Sequence, residues 1–158
     1  MRPVRISAKA IVVQDGRLLV TRHRDSEGDW YLLPGGGQEP GESLPEAVQR
    51  ECREEVGVDV AVHRLLFVRD YISRNHEFAA QDGGAHQVEL MFACTLLPGQ
   101  VPRNGPLPDG SQVGVGWLEV ADLGRYRLYP QTLKPLLAGL GDRPAPTDPY
   151  PVYLGDVN

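Results

Sequence analysis

The stretch PGGGQEPGESLPEAVQRECREEVGV, residues 34–58, places three consecutive glycines ahead of six glutamates crowded into seventeen residues. Ser43 and Glu46 stand at the spacing where a serine hydroxyl and a glutamate carboxylate cap each other's backbone amides, so a helix is expected to begin near Leu44. Gly57 offers the left-handed conformation that ends one. On a wheel of about 100° per residue with Glu51 at zero, Glu55 falls at about 40° and Glu54 at about 300°, so the three carboxylates share a face. Leu44, Val48 and Cys52 fall at about 20°, about 60° and about 100° on the same wheel. The acidic face therefore borders the apolar stripe, where charge is costly unless something compensates it.

Each like-charge pair at helical contact spacing costs roughly a few tenths of a kcal/mol in water, and more in a drier site. A divalent cation reverses that sign. Carboxylate oxygens are hard ligands suited to Mg²⁺ or Mn²⁺, and a Mg²⁺ site commonly combines carboxylates with waters and a substrate's phosphates. The competing reading is an ordinary surface helix laced by Glu46 with Arg50 and by Arg50 with Glu54. The glycines tilt the choice toward a site. Gly35, Gly36 and Gly37 leave carbonyls and amides uncovered where the chain approaches the helix.

Beyond this stretch, 158 residues suit one domain with a core of its own. Hydrophobic residues at 41% and charged residues at 23% sit near globular averages, which argues against wholesale disorder. No apolar run approaches the ~20 residues that span a bilayer, and MRPVRISAK lacks the apolar core of a signal peptide. A cytoplasmic protein without a membrane partner is expected. Cys52 and Cys94 read as small buried hydrophobes in a reducing compartment, not as a disulfide framework. The net charge of -5 argues against general nucleic-acid binding but leaves room for a small anionic ligand held through metal.

Along the chain, RISAKAIVV and RLLVTRH are strand-forming runs separated by Gln14, Asp15 and Gly16, a hairpin signal. WYLLP is a short apolar run stopped by Pro34 and the glycines, which read as a loop. VDVAVHRLLFVRDYI reads as a strand, SRNHEFAAQDGGA as an exposed loop and HQVELMFACTLL as another strand. PGQVPRNGPLPDGSQ is a Pro/Gly-rich loop of fifteen residues, longer than most connections in a domain. VGVGWLEVADL restores a strand that runs into a turn or short helix. PQTLKPLLAGL reads as a second helix with Pro130 near its start and Pro135 counting against it. The expected organisation is a domain over residues 1–140 and a proline-rich, extended tail over 141–158. The apolar content of PYPVYLGDV predicts that the tail docks on its own domain or across a two-fold interface, burying Val152 and Leu154.

From Gly36 the opening stretch also matches G-x(5)-E-x(7)-R-E-U-x-E-E-x-G-U, with U apolar. The specified positions are Gly36, Glu42, Arg50, Glu51, Cys52, Glu54, Glu55, Gly57 and Val58. Seven fixed residues and two apolar ones across twenty-three positions make a chance match very improbable. This is the Nudix box, and the chain resembles the Nudix hydrolase family; the order of strands around the box extends the resemblance over residues 5–140. The resemblance implies an α/β fold, an α/β/α sandwich around a mixed β-sheet. It implies a metal-dependent pyrophosphohydrolase that cleaves a nucleoside diphosphate linked to another moiety by attack of water on phosphorus. Carried over, Glu54 and Glu55 would bind Mg²⁺, with Mn²⁺ as the alternative ion. Glu51 would bind metal or deprotonate the water, and the Gly36 region would supply a carbonyl ligand. Arg50 would hold the carboxylates in place, and Glu42 would support the loop or an additional metal. These parts suit in-line displacement on a phosphate whose charge metal neutralises.

The downstream proline that marks ADP-ribose hydrolases of the family and the tyrosine that marks dinucleoside polyphosphate hydrolases have no counterpart in YISRNHE. The substrate therefore stays open between a nucleoside triphosphate and a nucleotide sugar, with capped RNA disfavoured by the acidic balance. The alternative function is a non-catalytic nucleotide-sensing or nucleotide-binding module of the same fold; the complete set of carboxylates favours the enzyme. Family relatives are often dimers, so a homodimer is a further expectation. Outside the box, Glu89 reads equally as an additional metal ligand or base and as a solvent-facing strand residue. Arg22 and Arg24 are candidates for phosphate, and Tyr71, Phe78 and Tyr129 for stacking on a base. Trp30 and Trp117 read as core, and His86 as a residue that could orient a loop.

Overall fold

Strand β1 (Arg5–Gln14) carries a different pattern on each face. Ala8, Ala10 and Val12 are buried on one side, while the other presents Arg5, Ser7 and Lys9 and then Ile11 and Val13. The site lies where that second face changes from apolar to polar. In this computed structural model, residues 2–139 and 150–158 are described. The prolines at 144, 146 and 149 of the expected extended tail fall outside them.

After β1 come β2 (Arg17–Asp25), β3 (Gly28–Leu32), β4 (Gly35–Gly37), helix α1 (Leu44–Val56), β5 (Val60–Ile72) and β6 (His86–Leu96). Strands β7 (Gln112–Glu119) and β8 (Leu128–Tyr129), helix α2 (Leu133–Ala138) and strand β9 (Val152–Asp156) complete the order. The strands run β8-β3-β2-β1-β6-β5-β9, with β4 also on β1 and β7 also on β2. Pairs β1·β6, β3·β8 and β5·β9 are parallel and the rest antiparallel, so the sheet is mixed. Ala47, Val48, Cys52 and Val56 of α1 close over Ala8, Ala10, Val12, Phe92 and Cys94 on one face. Leu133 and Leu137 of α2 close over Ile11, Met91 and Ala93 on the other. The result is the expected α/β/α arrangement. Both cysteines are free and buried, and no helix among the described residues is long and apolar enough to cross a membrane.

One local reading changes. The glycine run is a short strand, not a loop: Ser7, Ala8 and Lys9 of β1 pair with Gly37, Gly36 and Gly35. A β-carbon at Gly35 would lie 2.2 Å from the Ala8 carbonyl oxygen, and one at Gly36 would lie 2.7 Å from Glu51 Oε1. Only glycine fits a strand pressed between β1 and the acidic edge of α1. Pro135 sits in the first turn of α2, where an amide has no intrahelical partner to lose, so it does not break that helix. The long loop remains a loop and is held against the end of α1. Amides of Arg103, Gly105 and Leu107 donate to the carbonyls of Val56, Glu55 and Glu54 at 2.9, 3.1 and 3.0 Å. They satisfy the carbonyls that a helix end leaves unpaired.

Helix α1 starts and stops as its sequence predicts. Ser43 and Glu46 form the reciprocal capping box, and Gly57 closes the helix at φ 66°. The tail takes the first of its two expected placements, since β9 lies parallel to β5 of its own chain. Leu154 packs against the core, but Val152 is 40% exposed. Among the described residues β9 is the outermost strand of the sheet, with no further strand beside it.

Candidate active site

Arg50 organises the acidic edge of α1. Its guanidinium donates through Nε and Nη2 to both oxygens of Glu42, at 3.0 and 2.7 Å, and through Nη2 to the Gly37 carbonyl at 2.9 Å. Nη1 reaches Glu51 Oε1 at 2.9 Å and Glu54 Oε2 at 3.3 Å. One planar fork thus ties helix to glycine strand, a task its fixed donor geometry suits and a lysine's does not. The Glu42 carboxyl is held below the ordinary carboxylate range, first by the Arg50 hydrogen bonds.

Glu55 is 5% exposed, and its Oε1 accepts the Gly35 amide at 2.8 Å. Burial pushes its carboxyl up to about 7, against the opposing pull of Lys9 and the Gly35 amide. Lys9 donates to the Gly35 carbonyl at 2.9 Å. Across the sheet floor, Arg69 Nε donates to Glu89 Oε2 at 2.6 Å, both side chains being buried. Burial alone would raise the Glu89 carboxyl, but Lys9 and Arg69 outweigh it and bring it below its usual range.

These groups line a cleft of about 890 Å³. Its floor is the polar part of the sheet face, with Arg5, Ser7 and Lys9 from β1, Gln87 and Glu89 from β6, and Arg69 and Tyr71 from β5. Glu51, Glu55 and Gly35 to Gly37 form one wall, while Arg24, Trp30, Phe78 and Tyr129 belong to the others. Asp109 and Ser111 enter from the long loop that caps α1. Of the candidate residues, Gly36, Glu51, Glu55, Glu89, Arg24, Tyr71 and Tyr129 are brought together here. Glu42, Arg50, Glu54 and Arg22 stand outside the cleft wall. Glu42 and Glu54 are bound to Arg50, and Arg22 turns to Asp29 at 3.4 Å. Arg24 also pairs with Asp29, at 2.6 Å.

Tyr71 lines the cleft, but its ring is already engaged. His76 stacks on it at 5.4 Å, Arg69 lies 5.1 Å from its centroid, and its hydroxyl donates to Asp82. Trp30, expected in the core, lines the cleft instead. It stacks on His23 at 4.4 Å and meets Tyr129 edge-on at 6.3 Å, with Phe78 on Tyr129 at 5.1 Å. Trp117 does pack against a core cluster. His86 bonds Asp70 at 2.9 Å and lies outside the cleft wall. Sequence reasoning missed Lys9, although RISAKAIVV held the signal: polar residues at alternate positions 5, 7 and 9 give way to Ile11 and Val13 on the same face.

Carboxylate and backbone oxygens, the hard donors that a divalent cation takes, border the cleft at Glu51, Glu55 and the glycine strand. The Glu51 carboxylate lies against Gly36, and that of Glu55, buried, accepts the Gly35 amide. Among the described residues, no three of His, Cys, Asp or Glu converge as a ready metal site. Arg50 holds Glu54, and Arg69 holds Glu89.

The whole is an α/β/α sandwich in which an Arg50-braced acidic helix lies against a glycine strand. The family model described as NUDIX domain matches residues 3–139, and the chain belongs to the Nudix hydrolase family. It is similar to a protein named nucleoside triphosphatase NudI from Escherichia fergusonii, 28% identical over 137 residues that span 82% of this chain and 93% of that protein. A solved MutT NUDIX hydrolase from Burkholderia pseudomallei is 33% identical with a TM-score of 0.56, covering 77% of this chain and 88% of its own. A NUDIX hydrolase from Nitrosomonas europaea shares the fold at a TM-score of 0.67 and 18% identity, over 96% of this chain and 98% of its own.

Proposed function

We propose that this chain is a Mg²⁺-dependent pyrophosphohydrolase that cleaves a nucleoside diphosphate linked to another moiety, with a nucleoside triphosphate as the first substrate to test. The observation that carries the reading is the wall formed by Glu51, Glu55 and Gly35 to Gly37, with Lys9 bonded to the Gly35 carbonyl beside it and Arg69 on the floor of the same cleft. The similarity to proteins named nucleoside triphosphatases favours the triphosphate.

Glu51 and Glu55, with Glu54 once released from Arg50, would hold the cation, and the Gly36 region would add backbone oxygen. When bound, the cation neutralises phosphate charge and lowers the pKa of its water. Glu51 is the candidate to take the proton from the attacking water. Lys9 contributes positive charge beside the carboxylates, and Arg24, which lines the same cleft, is a candidate to meet phosphate. The aromatic group of Trp30, Phe78 and Tyr129 offers apolar faces for a base.

A screen of nucleoside triphosphates, nucleotide sugars, dinucleoside polyphosphates and coenzymes for phosphate or pyrophosphate release tests this. Turnover is expected with Mg²⁺ or Mn²⁺ and is expected to vanish in EDTA. Turnover in metal-free buffer would sink the metal assignment. Binding of nucleotides without turnover of any would leave the non-catalytic binding module as the function.

A further inference from the structure

His23 is fully buried, yet both of its ring nitrogens are bonded and its ring is stacked. Nε2 meets Thr21 Oγ1 at 2.9 Å, and Nδ1 meets Ser111 Oγ at 2.8 Å. Thr21 donates its one hydroxyl hydrogen to the Leu32 carbonyl at 3.3 Å, so toward His23 it accepts. This network assigns the proton of the neutral ring to Nε2, and Nδ1 then accepts from Ser111. Burial holds the ring below the ordinary histidine range, with Lys9 acting in the same direction and Asp109 and Ser111 against it.

Two tethers at opposite sides of a ring fix its plane. His23 and Trp30 are direct partners across β2 and β3, and their rings lie 4.4 Å apart with 22° between the planes. Trp30 lines the cleft, whereas His23, with no exposed surface, stands behind it. The pairing of β2 with β7 slips at this point: Arg22 is opposite Gly114 and His23 opposite Gln112, which leaves Val113 as an extra residue. Such bulges re-aim side chains and are common beside active sites. This one falls next to Ser111, in the segment that also carries Asp109 into the cleft. A residue that only filled space here would be apolar, since buried polar groups cost free energy and add nothing to packing. What the histidine adds is orientation.

We propose, resting on the nucleotide reading above, that His23 is a positioning residue for base binding: clamped by Thr21 and Ser111, its ring sets the plane of Trp30 as the platform on which the base stacks. It serves the base and not the phosphates, which the same reading places by Glu51 and Glu55. Every base has a flat face to stack, so the effect is common to purines and pyrimidines.

Steady-state kinetics of the full chain with ATP, GTP, CTP and UTP test this. His23→Leu fills the space without holding a plane, and is expected to raise KM about fivefold or more for each triphosphate that the parent chain cleaves. Its kcat, and the Mg²⁺ concentration that gives half the maximal rate, are expected to stay within about twofold of the parent's, because the metal end is untouched. Should His23→Leu fail to fold, Thr21→Val decides: it leaves the ring in place and cuts one tether, and a raised KM with kcat kept is expected. An unchanged KM in the folded variant, or a loss of kcat or of Mg²⁺ response as large as the rise in KM, would show His23 to be ordinary core and overturn the proposal. Cleavage of none of the four by the parent chain would overturn the triphosphate reading, and this inference with it.

Discussion

Arg50 has several simultaneous partners, and that number decides what its loss does. Arg50→Met would leave the Gly37 carbonyl and the carboxylates of Glu42, Glu51 and Glu54 without their shared donor, in a setting where these side chains are only 14–30% exposed. A loss of about 1–3 kcal/mol of stability is expected, measured by urea denaturation, because partly buried acceptors are left unpaired. Glu54→Gln should behave in the opposite way. Its amide can still accept from Arg50, and a like charge is removed from the helix face, so stability should change by less than about 1 kcal/mol. Its Mg²⁺-dependent turnover should nevertheless fall by about 10²-fold or more if Glu54 serves as a ligand. Unfolding of the Glu54 variant would show the acidic face to be structural.

At the scale of elements, the loop between β6 and β7 is as much a part of the site as the helix. It supplies the amides that cap α1 and carries Asp109 and Ser111 into the cleft. Its closest approach is at Gly105, where a β-carbon would lie 2.2 Å from the Glu54 carbonyl oxygen and 2.5 Å from that of Arg53. Gly105→Ala is therefore expected to destabilise by about 1–3 kcal/mol, since backbone on both sides must move. Gly110 in the same loop has nothing within 4 Å of an added β-carbon. Gly110→Ala should leave the melting temperature nearly unchanged. Equal effects of the two substitutions would mean that the loop does not bear on the helix end.

Across the whole molecule, β9 ties the far end of the chain to the segment between β5 and β6. Asp156 accepts from the Ile72 amide, Asn75 and His76, and Tyr153 donates its hydroxyl to Asp70. Desolvation alone would raise the Asp156 carboxyl, but the bonds from Asn75, His76 and the Ile72 amide outweigh it and lower it to about 2, below its usual 3.8. A carboxyl with a depressed folded-state value contributes stability above pH 3.8 that is lost as pH falls toward about 2. Asp156→Asn should accordingly melt below the parent protein at pH 7. The gap should close between pH 3.8 and about 2. A gap that stayed constant through that range would show that the anchor is not electrostatic.

The local features that the sequence by itself determined are those set by short-range chemistry. The capping box at Ser43 and Glu46, the stop at Gly57, the shared face of Glu51, Glu54 and Glu55, and the family follow from spacing within residues 34–58. Alternation along the strands likewise determined the two-sided sheet. Only the tertiary structure decided which charged groups meet, because pairing across strands joins residues far apart in the chain. Glycines that look like a loop became a strand once β1 was there to pair with them. Lys9 and Arg69 entered the site through strand register, and Trp30 by lining the wall instead of filling the core. Spacing along the chain sets what a helix or strand presents, whereas long-range packing sets what it faces.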